Sequence, residues 1–73
     1  QSYLMETFVV LAYDKSDVNK YTHLIAVCDS LFIAKRYADT AANSFGRKYG
    51  CVVFTKLMNS PFTEMDRKVY QTK

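Results

Sequence analysis

The side chains best suited to catalysis in this chain are a single histidine and two cysteines, His23, Cys28 and Cys51. A cysteine becomes a nucleophile when an imidazole within hydrogen-bonding distance takes its proton. The apolar run over residues 21–28 predicts a strand, whose alternation places His23 and Cys28 on opposite faces and about five residues apart. The spacing therefore predicts no Cys–His pair, and we expect the protein not to be an enzyme.

Oxygen-bearing side chains cluster in residues 14–20, DKSDVNK, a composition that suggests calcium ligands. The segment lacks the central glycine and the final bidentate glutamate of an EF-hand, and it contains two lysines, so it predicts a solvated turn. The cysteines lack the paired spacing of a zinc site, and Gly46 and Gly50 do not form a phosphate-binding loop. We expect no metal and no cofactor.

A basic pair and an aromatic ring lie together in residues 46–50, GRKYG. Arg47 and Lys48 could contact phosphates while Tyr49 stacks on a base, as in proteins that bind single-stranded nucleic acid. The competing interpretation is a helix C-terminus at which Arg47 and Lys48 complement the helix dipole. The other basic residues are scattered along the chain, which favours the helix terminus and leaves nucleic-acid binding as the alternative.

Three segments rich in β-branched and aromatic residues predict strands: residues 7–13, 21–28 and 51–58. A right-handed crossover between the second and third strands makes them parallel, with the first strand between them, in the order 2-1-3. In the tail, Ser60 before Pro61 predicts a short helix over residues 61–70.

One long helix of about 18 residues is predicted between the second and third strands. Its apolar stripe repeats at spacings of three and four residues: Leu31, Ala34, Ala38, Ala41 and Phe45. Asp29 or Ser30 would cap its start, and Gly46 or Gly50 would end it. The predicted fold is thus α+β, with a three-stranded sheet in the order 2-1-3, one long crossover helix and a short C-terminal helix (ββαβα).

Both faces of the predicted sheet are apolar, and one helix can cover only one of them. The other face would be covered by the C-terminal segment, by a second copy of the chain or by another protein. The candidate contacts with a protein partner are six side chains of the sheet and the tail: Phe8, Tyr13, Phe54, Lys56, Phe62 and Met65.

The length of 73 residues predicts one domain, and the formal net charge of +3 favours no class of partner by itself. Two cysteines are too few for a secreted disulfide scaffold, so we expect free thiols and a cytoplasmic protein, in the host cytoplasm if the source is viral. No apolar run approaches the ~18 residues of a membrane span. Residues 1–4 resemble the remnant of an affinity tag ahead of Met5, with the domain over residues 5–73.

The helix entry Asp29-Ser30-Leu31, followed by Ala34 and Ala38 and then by a strand over residues 52–55, resembles small phage-encoded accessory proteins. In these proteins a β-hairpin leads into a helix and a final strand, and the similarity here covers residues 7–58. The resemblance implies a class of compact proteins that bind and block a larger host machine. It assigns a role to no single residue.

These patterns predict a non-enzymatic protein-binding module, in the resembled class a phage protein that inhibits or redirects a host factor, acting alone or as a homodimer. The alternative is a small nucleic-acid-binding protein that uses Arg47, Lys48 and Tyr49. Capture of a protein that resists nuclease treatment would separate the two hypotheses.

Overall fold

The computed structural model describes residues 6–59 and 67–73, which form four strands and one helix. In chain order the elements are β1 (Glu6–Asp14), β2 (Asp17–Cys28), α1 (Leu31–Phe45), β3 (Tyr49–Leu57) and β4 (Arg67–Gln71). The predicted α+β class is confirmed. The suspected tag residues, 1–4, lie outside the described ranges.

The four strands form one sheet in the order β2-β1-β3-β4, and every neighbouring pair is antiparallel. β1 lies between β2 and β3, so the predicted order of these three strands is confirmed. The prediction of a three-stranded sheet is wrong, because β4 adds to the edge of β3 that the shorter sheet would leave open.

Residues 67–71 form β4, which makes the predicted C-terminal helix wrong over this segment. Tyr70 pairs with Val53, and just beyond the strand the amide of Thr72 donates to the carbonyl oxygen of Cys51 at 2.9 Å. A short helix is marginal in water because it forms few internal hydrogen bonds. An added strand instead satisfies the backbone groups along the edge of β3, so pairing outweighs the local helical spacing.

The helix begins and ends at two of the predicted capping residues. The hydroxyl of Ser30 accepts a hydrogen bond from the amide of Ile33 at 3.4 Å, as an N-cap does. Gly46 ends the helix with φ 77°, a conformation that strains residues with a side chain. The helix has 15 residues because the chain leaves it at Gly46 and not at Gly50.

The predicted apolar stripe of α1 packs on the sheet, which confirms its orientation. Ala34 and Ala38 are fully buried and form the core with Val10, Cys51 and Val53. The remaining residues of the stripe are partly buried around this core: Leu31, Ala41 and Phe45. Small alanine side chains let the helix backbone come close to the two central strands.

The sheet face away from α1 is buried in its middle and exposed along β2. Val9 and Val52, on the two central strands, are each 2% exposed. Leu24 and Val27, on β2, are each 54% exposed. The exposed apolar area of this face is therefore concentrated on one edge strand.

Candidate functional site

The predicted sheet contacts lie mostly within the packed part of the fold. Phe8 and Phe54 are half-buried on opposite faces, while Tyr13 and Lys56 are 4% and 5% exposed. The two candidates in the tail lie outside the described residues: Phe62 and Met65. As folded, the four described side chains offer little surface to a partner.

Tyr13 joins three strands of the sheet. Its ring lies so close to Gly50 that a Cβ added there would be 2.7 Å from the ring atoms. Its hydroxyl donates to the carbonyl oxygen of Thr72 at 3.4 Å and accepts from the side-chain amide of Gln71 at 3.1 Å. These contacts give Tyr13 a structural role at the end of the sheet.

An extra residue in β2 changes which of its side chains share a face. Val10 pairs with Ala26, whereas the next residue, Leu11, pairs with Leu24, which leaves Ile25 as a bulge. A bulge interrupts the alternation of a strand and re-aims the side chains beyond it. Leu24 therefore lies beside Leu11 on the face away from α1.

The Ile25 bulge also overturns the prediction that His23 and Cys28 occupy opposite faces. Both residues pair with β1 residues that face α1. Their β1 partners, Ala12 and Phe8, are four residues apart, so about 13 Å of strand still separates them. The imidazole of His23 instead packs edge-to-face on Phe45, with 5.5 Å between ring centroids.

Exposed apolar side chains lie along the outer edge of β2 and on the flank of α1 beside it. Val27, Ile33, Tyr37 and Met58 line one groove together with Thr7, Cys28 and Asp29. Leu24 lies outside this groove, next to Val27 on the face away from α1. We call this set the β2 apolar surface: Leu24, Val27, Ile33, Tyr37 and Met58. Each member is between 45% and 54% exposed. None of these residues was among the predicted contacts.

A sequence signal for part of this surface exists in the helix. Ile33 and Tyr37 are four residues apart, so they lie on one flank of α1, outside the buried alanine stripe. The opposite flank packs on β4, where the hydroxyl of Tyr70 donates to Asp39 at 2.6 Å. An apolar pair outside the stripe cannot be buried in the core of this domain, so its presence in the sequence indicates an exposed apolar flank.

Basic side chains from separate segments meet at the end of the sheet that contains the β1–β2 turn. The backbone amide of Lys15 donates to the carbonyl oxygen of Lys48 at 3.0 Å. The side-chain ammonium of Lys15 donates to the carbonyl oxygen of Lys73 at 3.1 Å. Lys20 is close enough to Asp14 for its charge to lower the pKa of that carboxyl, and Arg47 directly precedes Lys48. We call this cluster the basic end: Lys15, Lys20, Arg47, Lys48 and Lys73. These residues are scattered in sequence and become neighbours only in the fold.

The carboxylates at the basic end are engaged with the local backbone. Asp14 accepts hydrogen bonds from the hydroxyl and the amide of Ser16 at 2.7 and 2.9 Å, and Asp17 accepts from the amide of Asn19 at 3.1 Å. The bonds from Ser16, followed by the charge of the nearby lysines, hold the pKa of Asp14 below its usual value. Both carboxylates belong to Asx turns, which accounts for the oxygen-rich composition of this segment.

The basic end contains the whole positive excess of the chain. Among the described residues, five basic side chains at this end are grouped with two carboxylates, those of Asp14 and Asp17, a local excess of +3 (5 − 2). The remaining acidic and basic residues balance one another. The net charge of the chain is mild, but its positive charges are concentrated at this end of the sheet.

Three aromatic rings border the basic end. Phe45 lies between the other two, with centroids 5.5 Å from His23 and 6.1 Å from Tyr49, both in edge-to-face geometry. Tyr49 is half-buried and His23 is exposed. The structure thus brings the predicted trio of Arg47, Lys48 and Tyr49 together with two rings from other elements.

The thiols of Cys28 and Cys51 are free and lie at opposite ends of β1, which confirms their predicted separation. Cys28 is half-buried and Cys51 is fully buried. Burial raises the pKa of both thiols, and a nearby aspartate adds to each shift. Since the thiolate is the nucleophilic form, neither thiol is activated for covalent chemistry.

Within residues 6–59 and 67–73, no three or more His, Cys, Asp or Glu side chains are grouped to hold a metal ion. No helix in the same ranges is long and apolar enough to cross a membrane. Comparisons with protein-family models, with curated proteins and with solved structures find no match for this chain.

Proposed function

We propose that this protein is a non-enzymatic protein-binding module that contacts its partner through the β2 apolar surface. The observation that carries the proposal is the gathering of five half-exposed apolar side chains, between 45% and 54% exposed, along one edge of a small domain. Contiguous exposed apolar area of this kind marks contact sites in soluble proteins. Its burial would contribute favourable free energy to the association.

The backbone of β2 supports the same surface. β2 is the terminal strand of the described sheet, so one of its edges has no neighbouring strand among the residues that the structure describes. An open edge can accept an added strand, whose main-chain hydrogen bonds supply affinity while apolar side chains supply specificity. Leu24 and Val27 would then flank the new strand on one face, and Ile33 and Tyr37 on the other.

The state of the cysteines supports a binding role and not a catalytic one. The pKa of both thiols is raised by burial, and the single histidine packs on Phe45 at the other end of its strand from Cys28. A protein that acts by binding needs none of these groups to react.

The partner in this proposal is a host protein, in the class of phage proteins that the sequence resembles. A second copy of the chain is the other candidate, and the composition of residues 21–28 of β2 favours it. Residues 21–28 carry no Asp, Glu, Lys or Arg, so two copies of this segment could pair antiparallel without repulsion between like charges. Both partners would use the same surface.

The test compares two charge substitutions on β2. Leu24→Lys places an ammonium in the β2 apolar surface, and Val18→Lys places one at the other end of the strand, where Val18 is 55% exposed against 54% for Leu24. Nuclease-treated lysate of the natural source cells is passed over each immobilised variant, and sedimentation measures self-association. We expect Leu24→Lys to lose at least 90% of the captured partner or of the dimer.

Val18→Lys should bind like the unaltered chain, because it adds the same charge outside the surface. Circular dichroism melting of both variants separates lost binding from lost folding. Equal capture or equal dimerisation by the two variants would contradict the proposed surface, and a strict monomer that captures the partner would exclude the homodimer alone.

A further inference from the structure

We infer that the basic end is a second binding site, whose ligand is single-stranded nucleic acid. This inference goes beyond the protein contact proposed above and uses a different part of the molecule. Its basis is the convergence of five cations and a row of aromatic rings that come from five separate places in the sequence.

Basic residues from two loops lie together at the basic end. Lys15 lies in the β1–β2 turn, and Arg47 and Lys48 lie between α1 and β3, yet the backbone bond of 3.0 Å from Lys15 to Lys48 joins the two loops. Asp14 and Asp17 keep their negative charge while they accept hydrogen bonds from Ser16 and Asn19, so they offset only two of the five positive charges. The ammonium and guanidinium groups therefore remain in excess at this end, and phosphates are the anions that a run of such cations attracts.

A row of aromatic rings lies beside these basic residues. Tyr49 follows Lys48 directly, and Phe45 and His23 continue from it at centroid distances of 6.1 and 5.5 Å. Binders of single strands combine a positively charged track for the backbone with aromatic faces on which bases stack. Here the cations and the rings border each other at the junction of α1 with β3.

The rings also decide between single strands and duplexes. In a duplex the faces of the bases are stacked inside the helix and cannot reach a protein ring, whereas an unpaired strand exposes them. A duplex would use the charges of the basic end but not Tyr49 or His23. Single strands should therefore bind more tightly than duplexes of the same length.

The experiment measures fluorescence anisotropy of a labelled oligothymidine of about 12 nucleotides, a length within the usual site sizes, against the full chain at several salt concentrations. Two double variants remove the same charge from different places. Arg47→Ala with Lys48→Ala alters the basic end, and Lys35→Ala with Arg36→Ala alters an adjacent basic pair on α1. The second variant removes the same net charge. It also removes the contacts of Lys35 with the Tyr70 ring and of Arg36 with the Phe32 ring, so thermal melting of both variants checks that they fold equally well.

We expect the Arg47/Lys48 variant to lose at least tenfold in affinity at physiological salt. Each lost phosphate contact should reduce the slope of log affinity against log salt by about 0.7, so the slope should fall by about 1.4. The Lys35/Arg36 control should keep its slope and stay within about twofold of the unaltered affinity. Lys15→Ala with Lys20→Ala should reproduce the first result, which provides a second variant if the first one misfolds.

Tyr49→Leu tests the stacking step, since leucine can still pack on Phe45 but has no aromatic face. We expect a loss of about fivefold or more for oligothymidine and no change for heparin. Equal losses in the two charge variants would overturn the inference and leave only screening of the net charge. Heparin or duplex binding as tight as oligothymidine binding would also overturn it, in favour of a general polyanion surface.

Discussion

The two ends of the sheet are built in different ways. At the end that contains Tyr13 and Gly50, side chains and backbone are tied together by hydrogen bonds between residues far apart in sequence, such as Tyr13 to Thr72 and Lys15 to Lys48. At the end that contains Cys28 and Met58, the notable feature is apolar area left half-exposed. This second end also has a long-range hydrogen bond, from the Thr7 hydroxyl to the carbonyl oxygen of Lys56 at 2.6 Å. The two ends therefore differ in what they expose: one presents charge, and the other presents half-exposed apolar side chains.

This difference indicates what each end can bind. The half-exposed side chains of the β2 apolar surface gain free energy only when another surface covers them, which favours a protein partner. The cations of the basic end are stable in water and attract a ligand through long-range charge, so their binding should weaken as salt rises. If the two ends differ in packing and accessibility, substitutions and chemical probes at each end should give different results.

The largest effect is expected from Gly50→Ala at the packed end. The new Cβ would lie 2.7 Å from the ring of Tyr13, so the ring or the strand must move. Overpacking of this kind costs about 1–3 kcal/mol, and we expect about 2 kcal/mol less free energy of unfolding in urea.

Gly46→Ala is a comparison with a different cause: its Cβ would meet nothing within 4 Å, and its loss of stability comes from a backbone with φ 77° and ψ −146°, so it should not depend on Tyr13. In a Tyr13→Leu background, Gly50→Ala should reduce the free energy of unfolding by less than it does in the unaltered chain. An unchanged cost in that background would show that the ring contact is not its cause.

The next effect compares one thiol at each end of the sheet. Cys28 is half-buried and Cys51 fully buried, so a thiol reagent should reach Cys28 in the folded protein and reach Cys51 only after the chain opens. We expect Cys28 to react at least ten times faster than Cys51 at neutral pH. Mass spectrometry of peptides measures the rate of labelling at each cysteine. Both should react equally fast in denaturant, and equal rates in the folded state would mean that the two ends are equally open.

A smaller effect is expected from Tyr13→Phe, which keeps the ring and removes the hydroxyl. The hydroxyl donates to Thr72 and accepts from Gln71 at the edge of β4. Two modest hydrogen bonds are lost, so the free energy of unfolding should fall by about 1 kcal/mol. Hydrogen exchange should show faster opening of the Thr72 amide, and an unchanged rate there would contradict the role of Tyr13 in holding β4.

The smallest effect concerns the pH dependence of the basic end. Hydrogen bonds from Ser16 and nearby lysines lower the pKa of Asp14 in the folded state, so the unfolded chain binds its proton more readily. The stabilisation is therefore present above the unfolded pKa of about 4 and is lost as pH falls through the lower folded value. Asp14→Asn should flatten this acid-side loss in urea titrations between about pH 5 and 2, and an identical slope in both proteins would contradict it.

The sequence by itself determined the helix and the three strands around it. Ser30 and Gly46 act within one turn of the helix ends, and the alanine stripe repeats within the helix, so each signal is complete in a short stretch of chain. The order 2-1-3 follows from the handedness of one crossover connection. Local signals of this kind do not depend on what the rest of the chain does.

The tertiary structure alone decided β4, the Ile25 bulge and both candidate surfaces. Residues 67–71 become a strand because β3 offers them an open edge, and the bulge exists only in the pairing of β2 with β1. Lys15 and Lys48 are neighbours because antiparallel pairing brings their loops to one end of the sheet. Long-range pairing sets these features, and periodicity within a segment contains no information about which distant segment it will meet.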